Sequence, residues 1–431
     1  MTEQVRLTAQ RLSASHRGRK ATRIIRLVAA LFPFRALRPA PAAASDVAAV
    51  PYDVVTREEA ASLAHGNPLS FLHVSRAEID LPSQTDPYAD AVYDKALRSF
   101  RSLQAAAPLV VEETPRLYVY RLRVGEHEQT GVAGCFSLEE YDSNVIKKHE
   151  HTRRDKEDDR TRHMLAIGAQ TGPVFLIYRA ASGVSDTVRR TVATDALFDF
   201  VASDGVQHSV WRVRQEDQGD LVSAFAGVPA LYIADGHHRA ASAARARQQV
   251  RATRGAGEWD TVLGVAFPDD QVQILAYNRI VKDLVGASPA LFLSRLREKF
   301  AVTPGPAVPV QRGHVSMYLD GVWYTIELGD APEVAPHAKR LDVNRLQELV
   351  LAPMLNIGDV RTDKRIDFVG GARGAEFLER SVNSGRAAVA FSLFPVSIDD
   401  LMSISDEGGI MPPKSTWFEP KLRDGLLSHV F

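Results

Sequence analysis

Cysteine is nearly missing from this chain of 431 residues, where Cys135 stands alone. An intramolecular disulfide is therefore excluded, as is a metal site built on several thiolates, and such usage fits a reducing, cytoplasmic compartment. Excess charge of one sign is missing as well. The formal balance is -1 with 24% charged residues, so no general basic field invites nucleic acid or a membrane surface, and any anion site must be local. No apolar run approaches the ~20 residues of a membrane span. Four familiar signatures are also absent, namely GxxxxGK[ST], GxGxxG opening a helix after a strand, GxSxG and HExxH, which excludes the common nucleotide and hydrolase motifs.

What remains is a globular composition, 45% hydrophobic, in a chain long enough for two or three lobes. Residues 1–30 stand apart, with Arg6, Arg11, Arg17, Arg19, Lys20, Arg23 and Arg26 against Glu3. They read as a basic, disordered extension, since LVAALF is too short and has no cleavage site behind it for a secretory signal. The pattern predicts strands at Leu117–Val124, Pro173–Tyr178, Ala230–Asp235, Thr261–Phe267 and Val272–Val281. It predicts helices at DAVYDKALRSFRSLQAA, DLVSAFAG, HRAASAARARQQVRATR and SPALFLSRLREKF. Strands and helices intermingle, so the class is α/β or mixed α+β. GPAVPVQRG, residues 305–313, is the best linker, followed by a hairpin turning at Asp320-Gly321 and by helical LDVNRLQELVLAPML. This divides the chain into the extension, a catalytic region at 31–300 and a C-terminal α+β lobe at 301–431 that contributes to the site.

Three constellations carry chemistry. In LYIADGHHRAASA a strand hands over to a helix at Asp235, Gly236, His237, His238 and Arg239. Gly236 permits a tight turn, the first helical amides offer partial positive charge, and Arg239 brings a fixed fork of donors for phosphate or carboxylate oxygens. Asp235 suits a divalent cation or orients a histidine. Adjacent His237 and His238 without a spaced third ligand do not make a zinc site.

The most charged stretch, Ile146 to Met164, holds Lys147, His149, Glu150, Thr152, Arg153 and Lys156. It reads either as a solvated helix crossed by ion pairs or as a phosphate-gripping segment with Glu150 as general base. The third constellation is PYDVV (Pro51 to Val55) with NPLSFLHVSRAEI (Asn67 to Ile79), a strand-like run in which Arg76 and Glu78 are candidate substrate contacts, though core and turn roles explain most of it. MPPKSTWFEPKLRDGL, Met411 to Leu426, lacks periodicity and leaves Lys414, Ser415 and Thr416 free to donate, as a closing loop over an anion or as a packing tail.

Taken together, VAAVPYDVV, NPLSFLHVSR, IKKHEHTRRDKEDDR, LYIADGHHRAASA, RTDKRIDFVGG and IMPPKSTWFEPKLRDGL make the chain similar to the domain-of-unknown-function family 1015 over roughly residues 32 to 431. That family resembles the ParB/sulfiredoxin superfamily, whose strand-turn-helix motif binds phosphate through residues matching Gly236, His237, His238 and Arg239. Free-serine kinases of that superfamily carry a similar Asp-Gly-His-His-Arg turn and use a glutamate as base.

The resemblance implies a ParB/sulfiredoxin-like core and a kinase that makes O-phospho-L-serine from L-serine and inorganic pyrophosphate with Mg2+. Glu150, Asp235 and His238 would be catalytic, with Glu78 the second choice of base. Gly236, His237, Arg239, Lys147, His149, Arg153 and Lys156 would hold phosphate, Arg76, Glu78 and Thr152 the acceptor, and Asp235 the metal. An ATP- or ADP-dependent kinase, the reverse reaction, a ParB-like nucleotide- or DNA-binding regulator and a sensor of phosphorylated metabolites are the competing readings. The net charge and the lack of a basic recognition helix count against nucleic acid. A homo-oligomer is compatible with all of them.

Overall fold

The computed structural model describes residues 29–106, 109–329, 331–332 and 334–431. The basic extension thus lies outside the described residues except for Ala29 and Ala30. Helices and several sheets mix along the chain, and among the described residues no helix is long and apolar enough to cross a membrane.

A nine-stranded sheet carries the turn at Gly236. Its strands run in the order Ile146–Lys147, Leu231–Asp235, Val174–Tyr178, Thr261–Pro268, His127–Ser137, Tyr118–Val124, Gln207–Arg212 and Phe198–Val201, with Leu31–Phe32 also paired to His127–Ser137. Leu231–Asp235 is parallel to Ile146–Lys147 and antiparallel to Val174–Tyr178. Its side chains alternate between two cores. Tyr232 and Ala234 face the larger one with Phe175, Phe267 and Phe418, while Leu231 and Ile233 face a second with Leu176, Val262 and Ala240. Burial on both faces explains the unbroken apolar run, each fully buried aliphatic or aromatic side chain contributing about 1.5–3 kcal/mol.

The helix His237–Arg254 covers the second core with Ala240, Ala243 and Ala244, whose small side chains let its axis approach the sheet. Against it packs the helix Arg154–Ile167. Ser242 Oγ donates to the Glu157 carbonyl at 3.2 Å and Arg245 pairs with the Glu157 carboxylate at 3.1 Å. The other side of Arg154–Ile167 meets the helix Asp90–Ala106, where Tyr93 donates to Asp159 at 2.8 Å. The segment is polar because it is wedged between two helices through hydrogen bonds and ion pairs, only part of it being a solvated face.

A six-stranded antiparallel sheet follows, ordered Ala301–Pro304, Val322–Glu327, His314–Leu319, Val389–Leu393, Tyr277–Val281 and Ile366–Gly370. The hairpin turns as expected, with Asp320 at φ 49 and Gly321 at φ 81, both in the left-handed region that a two-residue turn requires. Residues 305–313 join two strands of this one sheet, so their proline and glycine content marks an internal connection. The expected strand Val272–Val281 is two. Gln273–Leu275 pairs with Trp417–Glu419, and Tyr277–Val281 enters the six-stranded sheet.

NPLSFLHVSRAEI is helical where a strand-like run was expected. It forms Leu72–Ser75 and a 3-10 turn Ala77–Asp80. Phe71, Leu72, Val74 and Ala77 are buried on Val92, Ala96 and Phe100 of the neighbouring helix, a helical spacing that an alternating strand would break. Finally the C-terminal strand Ser428–Val430 returns to lie between Ala36–Arg38 and Ala169–Gln170. On the way back it carries residues 411–427 across the turn at Gly236.

Candidate functional site

The turn is built by three local features. The pairing of Leu231–Asp235 with Val174–Tyr178 shifts register between Ile233 and Asp235, an irregularity of the kind that re-aims a side chain at a sheet end. Gly236 then takes φ 93 and ψ 27, a conformation that costs glycine almost nothing and an L side chain a good deal. The helix that follows has no side-chain cap. Its first amides therefore have no intrahelical partner and point out of the turn with the positive end of the helix dipole.

Arg239 is buried behind the turn. Its Nη1 donates to the Pro173 carbonyl at 2.9 Å, its Nη2 donates to Asp53 at 3.1 Å and lies 3.6 Å from Asp235, and its Nε has no partner. Burial disfavours the charge, yet Asp53, Asp235 and Asp424 outweigh it and hold the guanidinium firmly protonated. Asp235 has a second cation on its other oxygen, Lys421 at 3.6 Å. Burial alone would raise its pKa; Lys421, Arg239 and His237 overcome that and lower it.

The histidines are kept neutral. Burial and the neighbouring His149 push His237 well below its ordinary value. His149, 2% exposed, is held down to about 4 by burial, against the pull of Asp235. The two rings meet edge to face at 4.5 Å, and the His149 amide donates to His237 Nε2 at 3.4 Å. Neither ring nitrogen of His149 makes a hydrogen bond of ordinary geometry, the Ile233 backbone lending its cation only weak support. His238 accepts from the Arg153 amide at 3.0 Å and is likewise lowered by burial.

Glu150 stands at the mouth of the turn, open to solvent on one side. Protein around the rest of it raises its carboxyl above the ordinary value, against Lys414, with Asp235 and Asp53 adding to the rise. Behind the turn lies a chamber of about 30 Å3 lined by Tyr52, Arg160, Arg239, Thr171, Gly172 and Asp424. Asp424 is 3% exposed, its Oδ1 has no partner, and burial pushes its pKa up to about 7 despite Arg239.

Of the residues expected to grip phosphate, Gly236, His237, Arg239 and His149 gather at the turn, with catalytic candidates Glu150, Asp235 and His238. Others turn away. Lys147 pairs with Asp406 at 2.9 Å, Arg153 sends its side chain out to Asp155 at 2.7 Å, and Lys156 donates to the Tyr88 hydroxyl at 3.1 Å. Thr152 donates to the Glu157 carboxylate. Arg76 pairs with Glu78 at 2.9 Å and donates to the Tyr52 carbonyl at 3.1 Å, so this pair supports Tyr52 from behind.

Asp53, Lys421 and Asp424 were not singled out from sequence. Each lies in a stretch that drew notice for its mixture of charge and turn residues, but nothing local ties 53 and 421 to 235. Among the described residues no group of three His, Cys, Asp or Glu side chains is arranged to hold a metal. Asp235, whose oxygens face Arg239 and Lys421 at 3.6 Å each, would be the one protein carboxylate for an Mg2+ carried on phosphate oxygens and water.

The chain belongs to the family described as a protein of unknown function, DUF1015, which it matches over residues 31–344. No curated protein matches it. Similar solved structures include a mutant free serine kinase in complex with AMP, 13% identical over 71% of this chain and 95% of that one at TM-score 0.35. They also include a conserved hypothetical protein from Pyrococcus furiosus, 15% identical over 68% and 94% at TM-score 0.34. A third is C-terminally truncated SbnI from Staphylococcus aureus, 10% identical over 68% and 85% at TM-score 0.36.

Proposed function

We propose that the protein is a phosphotransferase of the kinase type that phosphorylates free L-serine, with inorganic pyrophosphate as donor and Mg2+ as the accompanying ion. The observation that carries the reading is Glu150. A carboxyl raised above its ordinary value, open to solvent, beside an uncapped helix N-terminus and facing Lys414, has the placement of a general base next to a phosphate cradle.

In this reading the amides of the turn and the neutral imidazoles of His237 and His238 hold the transferred phosphoryl group by donation. Asp235 would hold Mg2+, whose chemistry there would be to neutralise phosphate charge. Glu150 takes the proton as the serine Oγ forms its bond to phosphorus, the bridging P–O bond breaks, and orthophosphate departs. The C-terminal part of the chain belongs to the same site, since Lys414 and Lys421 reach it.

Phosphorus NMR of the full chain with Mg2+ and L-serine, given pyrophosphate, ATP or ADP in separate tubes, tests this. Phosphoserine with pyrophosphate alone supports donor and acceptor together. Phosphoserine only with a nucleotide reassigns the donor, and folded protein silent in all three tubes sinks the kinase reading.

A further inference from the structure

The cations around the turn come in two groups that face each other across Asp235. Arg239 lies 3.6 Å from one carboxylate oxygen and Lys421 lies 3.6 Å from the other. Arg239 belongs to the helix, while Lys421 arrives on the returning C-terminal segment. That segment is fixed to the site at its start, where the Met411 amide donates to the His149 carbonyl at 2.8 Å. Farther along, Trp417–Glu419 pairs with Gln273–Leu275. Trp417 packs edge-on against Tyr277 at 5.1 Å and lies beneath the Lys421 ammonium at 5.0 Å.

Between these anchors stands Lys414. It is exposed, has no carboxylate within ion-pair distance among the described residues, and sits over the Tyr277 ring at 5.6 Å. Its backbone is in the left-handed region at φ 57, a conformation that costs a non-glycine residue free energy and recurs at ligand clamps. Its carbonyl accepts from Arg279 at 2.9 Å, and Arg279 is itself 2% exposed and, among the described residues, paired with no carboxylate, donating to this carbonyl and to that of Tyr277. Burying a guanidinium without an acid is costly. Lys414, Lys421 and Arg279 thus concentrate positive charge on one wall, opposite a turn that already offers amides and neutral histidines.

We propose that residues 411–421 form the second half of the anion site, with Lys414 and Lys421 binding the phosphoryl group that departs while the turn at Gly236 binds the one that is transferred. This rests on the kinase reading above and deepens it. The site is built for two adjacent phosphoryl groups, and it discriminates pyrophosphate from orthophosphate through Lys414 and Lys421, which lie far along the chain from the motif. Arg279 is a positioning residue that holds Lys414 by its carbonyl.

Calorimetric titration of the full chain with pyrophosphate and with orthophosphate, each with Mg2+, tests the assignment on wild type, Lys414→Met, Lys421→Met and Lys421→Arg. Each methionine variant is expected to lose about tenfold in pyrophosphate affinity, the value of one charge-assisted contact. Orthophosphate affinity should stay within about twofold, and Lys421→Arg should recover most of the loss. Lys414 is exposed, so its variant keeps the test open should Lys421→Met fold poorly. Equal losses for both anions, or none, overturn the two-phosphate site while leaving the kinase reading standing. Wild-type protein that binds neither anion overturns both, and preserved discrimination without phosphoserine formation overturns only the kinase reading.

Discussion

Replacing Asp424 by Asn should make the protein more stable at alkaline pH relative to wild type, and the size follows from burial. The carboxyl is 3% exposed and its pKa rises from 3.8 to about 7. A carboxylic acid whose folded pKa is raised binds its proton in the native state after the unfolded chain has released it, so it lowers stability progressively as pH climbs from 3.8 to 7. Relative to strongly acid solution the cost is about 2 kcal/mol at pH 5 and about 4 kcal/mol at pH 8. Asn keeps the shape and has no such titration, so the stability difference between variant and wild type should shift by about 2–3 kcal/mol in favour of the variant from pH 5 to pH 8. The attraction to Arg239 acts on the charged form and is already contained in the value of about 7, so it is not counted a second time. His149, lowered to about 4, acts with the opposite sign, removing stability as pH falls from 6.5 toward 4, and is common to both proteins. Urea unfolding at the two pH values measures the shift. Curves that stay parallel within about 0.5 kcal/mol would refute a neutral, unpartnered Asp424 behind the turn.

Glu150→Gln should lower kcat by about 10^2- to 10^4-fold while pyrophosphate affinity changes little, and the rise of rate with pH above the ordinary carboxylate range should vanish; a comparable fall in affinity would make Glu150 a binding residue instead. Gly236→Ala should cost about 1 kcal/mol or more in denaturant unfolding, because the added Cβ meets Arg239 and Val174 only at ordinary contact distances of 3.5 Å and the penalty comes from φ 93. An unchanged midpoint would mean that the turn relaxes. Asp235→Asn should raise the Mg2+ concentration for half-maximal turnover by about tenfold or more, as expected for loss of the one protein carboxylate on the ion; an unchanged requirement would place the metal elsewhere.

The strand-turn-helix at Asp235 was legible because its signals are local. Alternate residues of Leu231–Asp235 bury on two different cores, glycine supplies the left-handed turn, and the alanines that promote the helix also let it pack closely. Asp320-Gly321 was legible for the same reason. NPLSFLHVSRAEI was misread because a short apolar run fits either a strand or a buried helical turn, and the helix that decides it, Asp90–Ala106, lies further along the chain. The cationic wall had no comparable signal. Residues 411–427 lack periodicity because their backbone is placed by long-range bonds, Met411 to His149 and Asp424 to Ala49 among them, which no window of neighbouring residues contains.

Arg239 shows what such long-range placement does to a motif. Read locally, its guanidinium is a free fork for a ligand; in the fold it is occupied by the Pro173 carbonyl and by Asp53, close to Asp235, while Lys421 approaches the far side of that same Asp235. A buried arginine already committed to two carboxylates offers an anion its field rather than its hydrogen bonds. Direct donation must then come from the helix amides, from the histidines held neutral beside them, and from lysines presented by the other end of the chain.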